Sequence, residues 1–192
     1  IMWFIVGALF VYMLVMAISC SWFDGDDAYY VAQSVITQQT GTMYSPKMFR
    51  ERLLPHLKRR FQAARKYLDE VNPGVKIMLH SCGSIRKFLP DLIEAGVDII
   101  DPVQTTAKGM NPKNLAEKYG NNICFHGAID TQSILPFGTT EDVKIHVLNV
   151  VNQLNINDNY IAAPANNFMP GTPPENIETV YNVLKNLNNP GK

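Results

Sequence analysis

Apolar and polar positions follow a repeating pattern along most of the chain. Between residues 45 and 70 the apolar positions recur every three or four residues, which is typical of an amphipathic helix. Ser45 and Pro46 form a typical helix start, and Pro55 inside the segment predicts a bend. Short apolar runs then alternate with further helical patterns. They predict strands over 75–83, 97–103, 122–130 and 160–167, and helices over 84–96, 111–121, 139–155 and 172–188.

The order of these elements predicts an α/β fold. Strands that are separated by helices pair in parallel through right-handed crossovers. In such folds ligands bind at the carboxyl ends of the strands. Polar side chains able to bind ligands or take part in catalysis stand at the ends of four successive predicted strands: His80, Cys82, Asp101, Gln104, His126, Asp130, Asn166 and Asn167. This coincidence is the strongest functional signal in the pattern.

Composition narrows the classes of partner. The chain has 192 residues, of which 17 are basic and 17 acidic. Its formal net charge is zero, so electrostatics gives no reason to expect a nucleic acid as partner. Cys20, Cys82 and Cys124 lie far apart and form no dense disulfide framework. We therefore expect reduced thiols in a cytoplasmic protein that binds a small molecule and no nucleic acid.

The first residues of the chain favour a membrane location over the cytoplasm. Residues 1–18 carry no charge and approach the length that crosses a bilayer. Three interpretations stay open: a membrane anchor or signal within residues 1–20, a buried helix-strand piece, or a truncation artefact. We accordingly predict an apolar leader over 1–22 and one domain over 23–192.

Several long stretches resemble the uroporphyrinogen decarboxylase superfamily, and within it the corrinoid-linked methyltransferase branch. They are "DGDD" (24–27), "QTGTMYSPKMFRERLLPHLKR" (39–59), the run from "HSCGSIRKFLPDL" through "SILPFGT" (80–139) and "APANNFMPGTPPENI" (163–177). The resemblance implies a parallel (β/α)8 TIM barrel, of which this chain covers about the C-terminal half. A missing N-terminal half or a second copy of the chain would then complete the barrel, unless the chain is a fragment.

The same resemblance implies a metal site. Members that act on thiols hold zinc through a His-x-Cys pair, here His80 and Cys82, and the zinc-activated thiolate attacks a methyl group on the cobalt of a corrinoid (cobalamin) held by a partner protein. On a strand, residues i and i+2 point the same way, so both side chains can reach one ion. The family's third ligand position carries Asn166 here, and an amide is a poor zinc ligand. Possible substitutes are Cys124, His126, Asp26 and Asp27.

Further roles are expected for residues near the pair. Asp26, Asp27 and Gln104 are candidate catalytic residues. Candidate substrate-binding residues are Asn166, Asp130 and His126, although Asp130 also fits the cap of a turn. His56 and His146 are expected on exposed helix faces. Two other functions remain open: a cofactor-free tetrapyrrole decarboxylase, and a non-catalytic fragment or binding module.

Overall fold

A computed structural model describes residues 29–33, 37–155 and 158–188. The strands within these residues are β1 Tyr29–Gln33, β2 Thr37–Gln38, β3 Gly41–Thr42, β4 Lys76–His80, β5 Ile99–Val103, β6 Cys124–Ile129 and β7 Tyr160–Pro164. The α-helices are α1 Pro46–Met48, α2 Leu54–Val71, α3 Leu89–Glu94, α4 Pro112–Tyr119, α5 Ile134–Phe137, α6 Thr140–Leu154 and α7 Pro174–Asn188. The predicted leader over 1–22 lies outside the described residues.

Five strands form one parallel sheet in the order β1-β4-β5-β6-β7. From β4 to β7, helices connect each strand to its neighbour, which confirms the predicted α/β architecture. β2 and β3 form a separate antiparallel hairpin that the hydrophobic pattern does not predict. Among the described residues, no helix is both long enough and apolar enough to span a bilayer.

The long predicted helix over 45–70 contains a π-helical segment, Phe49–Leu53, between α1 and α2. Pro55 stands in the first turn of α2. Because proline lacks an N–H and crowds the carbonyl four residues earlier, it interrupts the usual hydrogen-bond ladder. The N–H of Leu54 accordingly donates to the carbonyl of Phe49, five residues back. The predicted bend is thus a local change of helix type.

Three predicted boundaries differ most from the structure. The strand predicted over 75–83 ends at His80, and the helix predicted over 84–96 is only the short helix α3. Pro90 stands in the first turn of α3, a position where a helix does not use the backbone N–H that proline lacks. The helix therefore begins at Leu89, and the residues just before it form turns. The strand predicted over 160–167 likewise ends at Pro164.

The two faces of the sheet differ in their surroundings. Apolar side chains such as Ile77, Leu79 and Phe125 are fully buried in the core cluster that includes residues from the helices. Within this cluster the rings of Phe49 and Phe88 stack with centroids 4.1 Å apart. The alternate residues of the same strands are only partly buried, and they include His80, Cys124 and His126. The partly buried face is therefore the one that carries candidate chemistry.

Candidate functional site

The site is built where β4, β5 and β6 lie side by side. His80 at the end of β4 pairs in register with Asp101 on β5. The register between β5 and β6 then shifts between Ile100 and Val103, as a β-bulge does. Before the shift Ile100 pairs with Phe125, so the next residues of the two strands, Asp101 and His126, lie side by side. Three adjacent strands thus bring one carboxylate between two imidazoles.

A close approach of β5 and β6 supports this arrangement. Gly127, the residue after His126, has a φ of +99°, which side chains rarely tolerate. A Cβ atom there would lie 3.0 Å from the Cβ of Pro102. Glycine therefore allows β6 to pass tightly beside the bulge that carries Asp101.

The Asp101 carboxylate binds one histidine with each oxygen. Its Oδ2 lies 2.5 Å from Nδ1 of His80, and its Oδ1 lies 2.6 Å from Nδ1 of His126. Burial alone would raise the pKa of Asp101, but the hydrogen bonds from His126 and His80 outweigh it and lower this pKa to about 2. The hydrogen bond to Asp101 in turn raises the pKa of His80, although burial opposes it. Asp101 is thus a carboxylate across the whole physiological range.

Cys82 lies next to the other nitrogen of His80. Its Sγ is 3.5 Å from His80 Nε2, although Cys82 follows the strand and belongs to a loop. Burial and the negative charge of Asp101 raise the pKa of the Cys82 thiol. Without a cation at the site this cysteine is therefore a thiol at neutral pH.

The loop that carries Cys82 is fixed by hydrogen bonds from two directions. The hydroxyl of Thr37 in β2 donates to the carbonyl of Cys82, and the N–H of Ser84 donates to the carbonyl of Gln38 at 2.9 Å. From the residue after β5, the buried Gln104 accepts the N–H of Gly83 at 2.7 Å through Oε1. The predicted catalytic residue Gln104 is therefore engaged in holding the Cys82 loop.

The β2–β3 hairpin also contacts the next two loops. The N–H of Lys108 donates to the carbonyl of Gln39 at 2.8 Å. Gln132 accepts hydrogen bonds from Gln39 and from Thr106 at 3.3 and 3.1 Å. Sequence reasoning missed Gln132, because an exposed glutamine in a loop gives no signal of its own. The hairpin thus links the loops that follow β4, β5 and β6.

His80 and Cys82 fit part of a zinc site. A tetrahedral ion bound at about 2.0–2.1 Å by nitrogen and about 2.3 Å by sulfur holds the two ligand atoms about 3.5–3.6 Å apart. The observed separation of 3.5 Å between His80 Nε2 and Cys82 Sγ agrees with that value. Histidine ligands also commonly donate their other ring N–H to a carboxylate, as His80 does to Asp101. Two candidate ligands and a carboxylate that orients one of them therefore lie together.

The described residues do not supply a third ligand. Within them, no group of three His, Cys, Asp or Glu side chains is arranged to hold a metal ion. Asn166 is exposed, and its Oδ1 accepts the N–H of Asn167 at 2.8 Å. Cys124 lies on β6 with its Sγ 3.8 Å from the carbonyl of Phe125. Asp26 and Asp27 lie outside the described residues.

Asp130 and His146 form a second polar group at the end of β6. Oδ1 of the buried Asp130 accepts the N–H groups of Gln132 and Ser133 at 2.7 and 3.2 Å, which is a turn-capping role. The expectation of an exposed His146 was wrong: its ring is partly buried, and Nε2 accepts the N–H of Asp130 at 3.0 Å. The partner is distant in sequence, so helical periodicity alone could not reveal it.

A small cavity lies between the strand ends, with a volume of about 10 Å³. Such a volume holds about one water molecule. Gln104 and Asp130 both line it, beside Ala165, which precedes Asn166. Two of the predicted site residues thus meet at one polar cavity next to the loops that the hairpin links.

Comparisons with known proteins agree with this fold. The profile of the uroporphyrinogen decarboxylase (URO-D) family matches residues 28–187. Among solved structures, the chain is similar to a methyltransferase from Methanosarcina mazei, with 17% sequence identity and a TM-score of 0.62. The match covers 83% of this chain and 42% of that chain, so this chain spans less than half the length of the similar structure. No curated protein matches the chain. The predicted fold is confirmed as a partial (β/α) barrel.

Proposed function

Because the chain belongs to the uroporphyrinogen decarboxylase family, we propose that it is the site-bearing part of a methyltransferase-like member of that family. The proposed reaction moves a methyl group between a corrinoid held by a partner protein and a small thiol or similar acceptor. Similarity of fold to a methyltransferase supports the reaction class. The nature of the acceptor is inferred from the chemistry of the site.

One observation carries the proposal: His80 Nε2 and Cys82 Sγ lie 3.5 Å apart at the end of β4. Imidazole and thiolate are preferred zinc ligands, and this separation suits one shared ion. Zinc, when bound, lowers the pKa of a coordinated thiol and so supplies a thiolate nucleophile at neutral pH. The residues of the chain hold and orient that site.

Each residue around the pair has a defined part in this proposal. Asp101 fixes the ring of His80 through Nδ1, and Gln104 with the β2–β3 hairpin fixes the loop of Cys82. Asp26 and Asp27 are the chain's own candidates for the remaining coordination. The exposed amide of Asn166 is assigned to substrate contact rather than to the metal.

Metal analysis of the purified chain tests the proposal. We expect about one zinc ion per chain in the wild-type protein and in Cys124→Ser, and loss of zinc in Cys82→Ser. Cys124 is a matched control because it is also a partly buried free thiol, on the strand β6 of the same sheet. A wild-type protein that takes up no zinc, or a Cys82→Ser variant that retains it, would refute the site.

A second experiment tests the reaction. The zinc-loaded chain is incubated with methylcobalamin, which stands in for the partner's corrinoid, and with a small alkyl thiol. The change in the cobalamin absorbance spectrum then reports methyl loss. We expect turnover above the zinc-only background in the wild type and background in Cys82→Ser. Cofactor-free decarboxylation of a uroporphyrinogen by the same preparation would instead favour the decarboxylase function.

A further inference from the structure

The Asp101 carboxylate determines which nitrogen of its two histidine partners carries the proton. An ionised carboxylate can only accept hydrogen bonds, so Nδ1 of His80 and Nδ1 of His126 must each carry a hydrogen. In the neutral form of each ring, Nε2 is then the acceptor. The side chain of Asp101 is only 15% exposed, so water competes weakly for its oxygens.

We propose that Asp101 is a positioning residue that holds His80 and His126 in the same tautomer, so that the site has two Nε2 acceptors. The first, on His80, faces Cys82 and is the proposed metal donor. The second, on His126, makes no hydrogen bond among the described residues, and the ring is a quarter exposed. It is therefore open to a hydrogen-bond donor group of a bound substrate.

Only a carboxylate satisfies both partners in this way. An amide at position 101 offers one oxygen acceptor and one NH₂ donor. In Asp101→Asn, the oxygen still accepts from one histidine, but the NH₂ group requires the other histidine to accept through Nδ1. That histidine must then carry its hydrogen on Nε2. The substitution thus converts one of the two acceptors into a donor while it preserves shape and volume.

The other two histidines provide internal references. His146 accepts the N–H of Asp130 through Nε2, so its neutral ring carries the hydrogen on Nδ1. His56 has its Nδ1 2.9 Å from a guanidinium nitrogen of Arg59, which can only donate, so its hydrogen is on Nε2. Since the chain has four histidines, the structure predicts three Nδ1–H rings and one Nε2–H ring.

Nitrogen-15 NMR of the metal-free 192-residue chain tests the proposal directly. Long-range ¹H–¹⁵N spectra are recorded at a pH where the imidazoles are neutral, and His80→Gln and His126→Gln assign the signals. We expect three Nδ1–H rings in the wild type and two in Asp101→Asn. Three such rings in Asp101→Asn, or an Nε2–H ring at His80 or His126 in the wild type, would overturn the proposal.

A matched charge removal separates positioning from general destabilisation. Asp98, just before β5, accepts from Arg65 and from the N–H of Ile77 and touches neither histidine ring. Asp98→Asn should leave all four tautomers unchanged, whatever it costs in stability. Tautomers that change equally in Asp98→Asn and Asp101→Asn would show that loss of structure, and not Asp101, is responsible.

Zinc titration provides the functional measurement, and only this part rests on the proposed function. We expect zinc affinity to fall about 10- to 100-fold in Asp101→Asn, which is the usual effect of removing a carboxylate that orients a histidine ligand. In Asp98→Asn the zinc affinity should equal that of the wild type. Unchanged affinity in Asp101→Asn would refute the positioning role. A wild type that binds no zinc would refute the proposed function, while the tautomer spectra would still decide the present inference.

Discussion

The contact between the β2–β3 hairpin and the Cys82 loop predicts a large effect for one methyl group. Gly83 has a φ of +92°, and a Cβ atom there would lie 2.8 Å from both the carbonyl carbon and the oxygen of Gln38. These are backbone atoms, so no side-chain rotation can relieve the overlap. Gly83→Ala must therefore displace the hairpin or the loop.

The chain offers a matched control for this substitution. Gly96, after α3, has a nearly identical φ of +98°, but a Cβ atom there would meet nothing within 4 Å. Gly96→Ala should cost only the left-handed backbone penalty, about 1–2 kcal/mol in the free energy of unfolding. Gly83→Ala adds an overpacking cost of about 1–3 kcal/mol, for a total of roughly 2–5 kcal/mol. The difference between the variants isolates the overlap.

Urea unfolding of the full chain measures both free energies, with linear extrapolation to water. Hydrogen exchange then locates the change: in Gly83→Ala, the amides of Ser84 and Lys108, which donate to hairpin carbonyls, should lose protection. In Gly96→Ala these two amides should keep it. Equal destabilisation by the two substitutions would refute the argument that the hairpin is packed tightly against Gly83.

Two further predictions concern stability. Because the pKa of Asp101 is lowered to about 2, its hydrogen bonds to the two histidines should contribute about 2 kcal/mol to the free energy of unfolding above pH 4 and lose that contribution as the pH falls from about 4 to 2. Urea unfolding against pH should show this slope in the wild type but not in Asp101→Asn. Asn176 is buried and donates to the carbonyls of Leu135 and Gly138, so Asn176→Ala should cost about 1–3 kcal/mol, against under 0.5 for the exposed Asn182→Ala. Equal costs would show that these hydrogen bonds contribute little.

The order of elements could be predicted from the sequence because hydrophobic periodicity reports burial, and burial decides which face of a helix or strand packs inward. The His80–Cys82 pair could be found for a similar reason, since strand ends collect at one side of a parallel sheet. The observed geometry differs from the predicted strand: β4 ends at His80, and Cys82 contacts His80 from a loop that Gln104 and the hairpin hold.

The two contacts of Asp101 could not be predicted in this way. They depend on how β5 aligns with β4 on one side and with β6 on the other, and that register is set between strands and not by the alternation of side chains along one strand. The partly buried position of His146 was hidden for the same reason, because its partner is a main-chain N–H at Asp130. Tertiary partners of polar groups leave little trace in a local pattern.

The hairpin holds its neighbouring loops mainly through their main chains. Its contacts fall on the carbonyl of Cys82, the N–H of Ser84 and the N–H of Lys108. Peptide groups are the same whatever residue carries them, proline N–H excepted, so the side chains at these positions are free to vary without loss of the attachment. Mutations can therefore change the side chains that these loops carry while the loop backbones keep their positions. New ligand specificities can then arise without a change of fold.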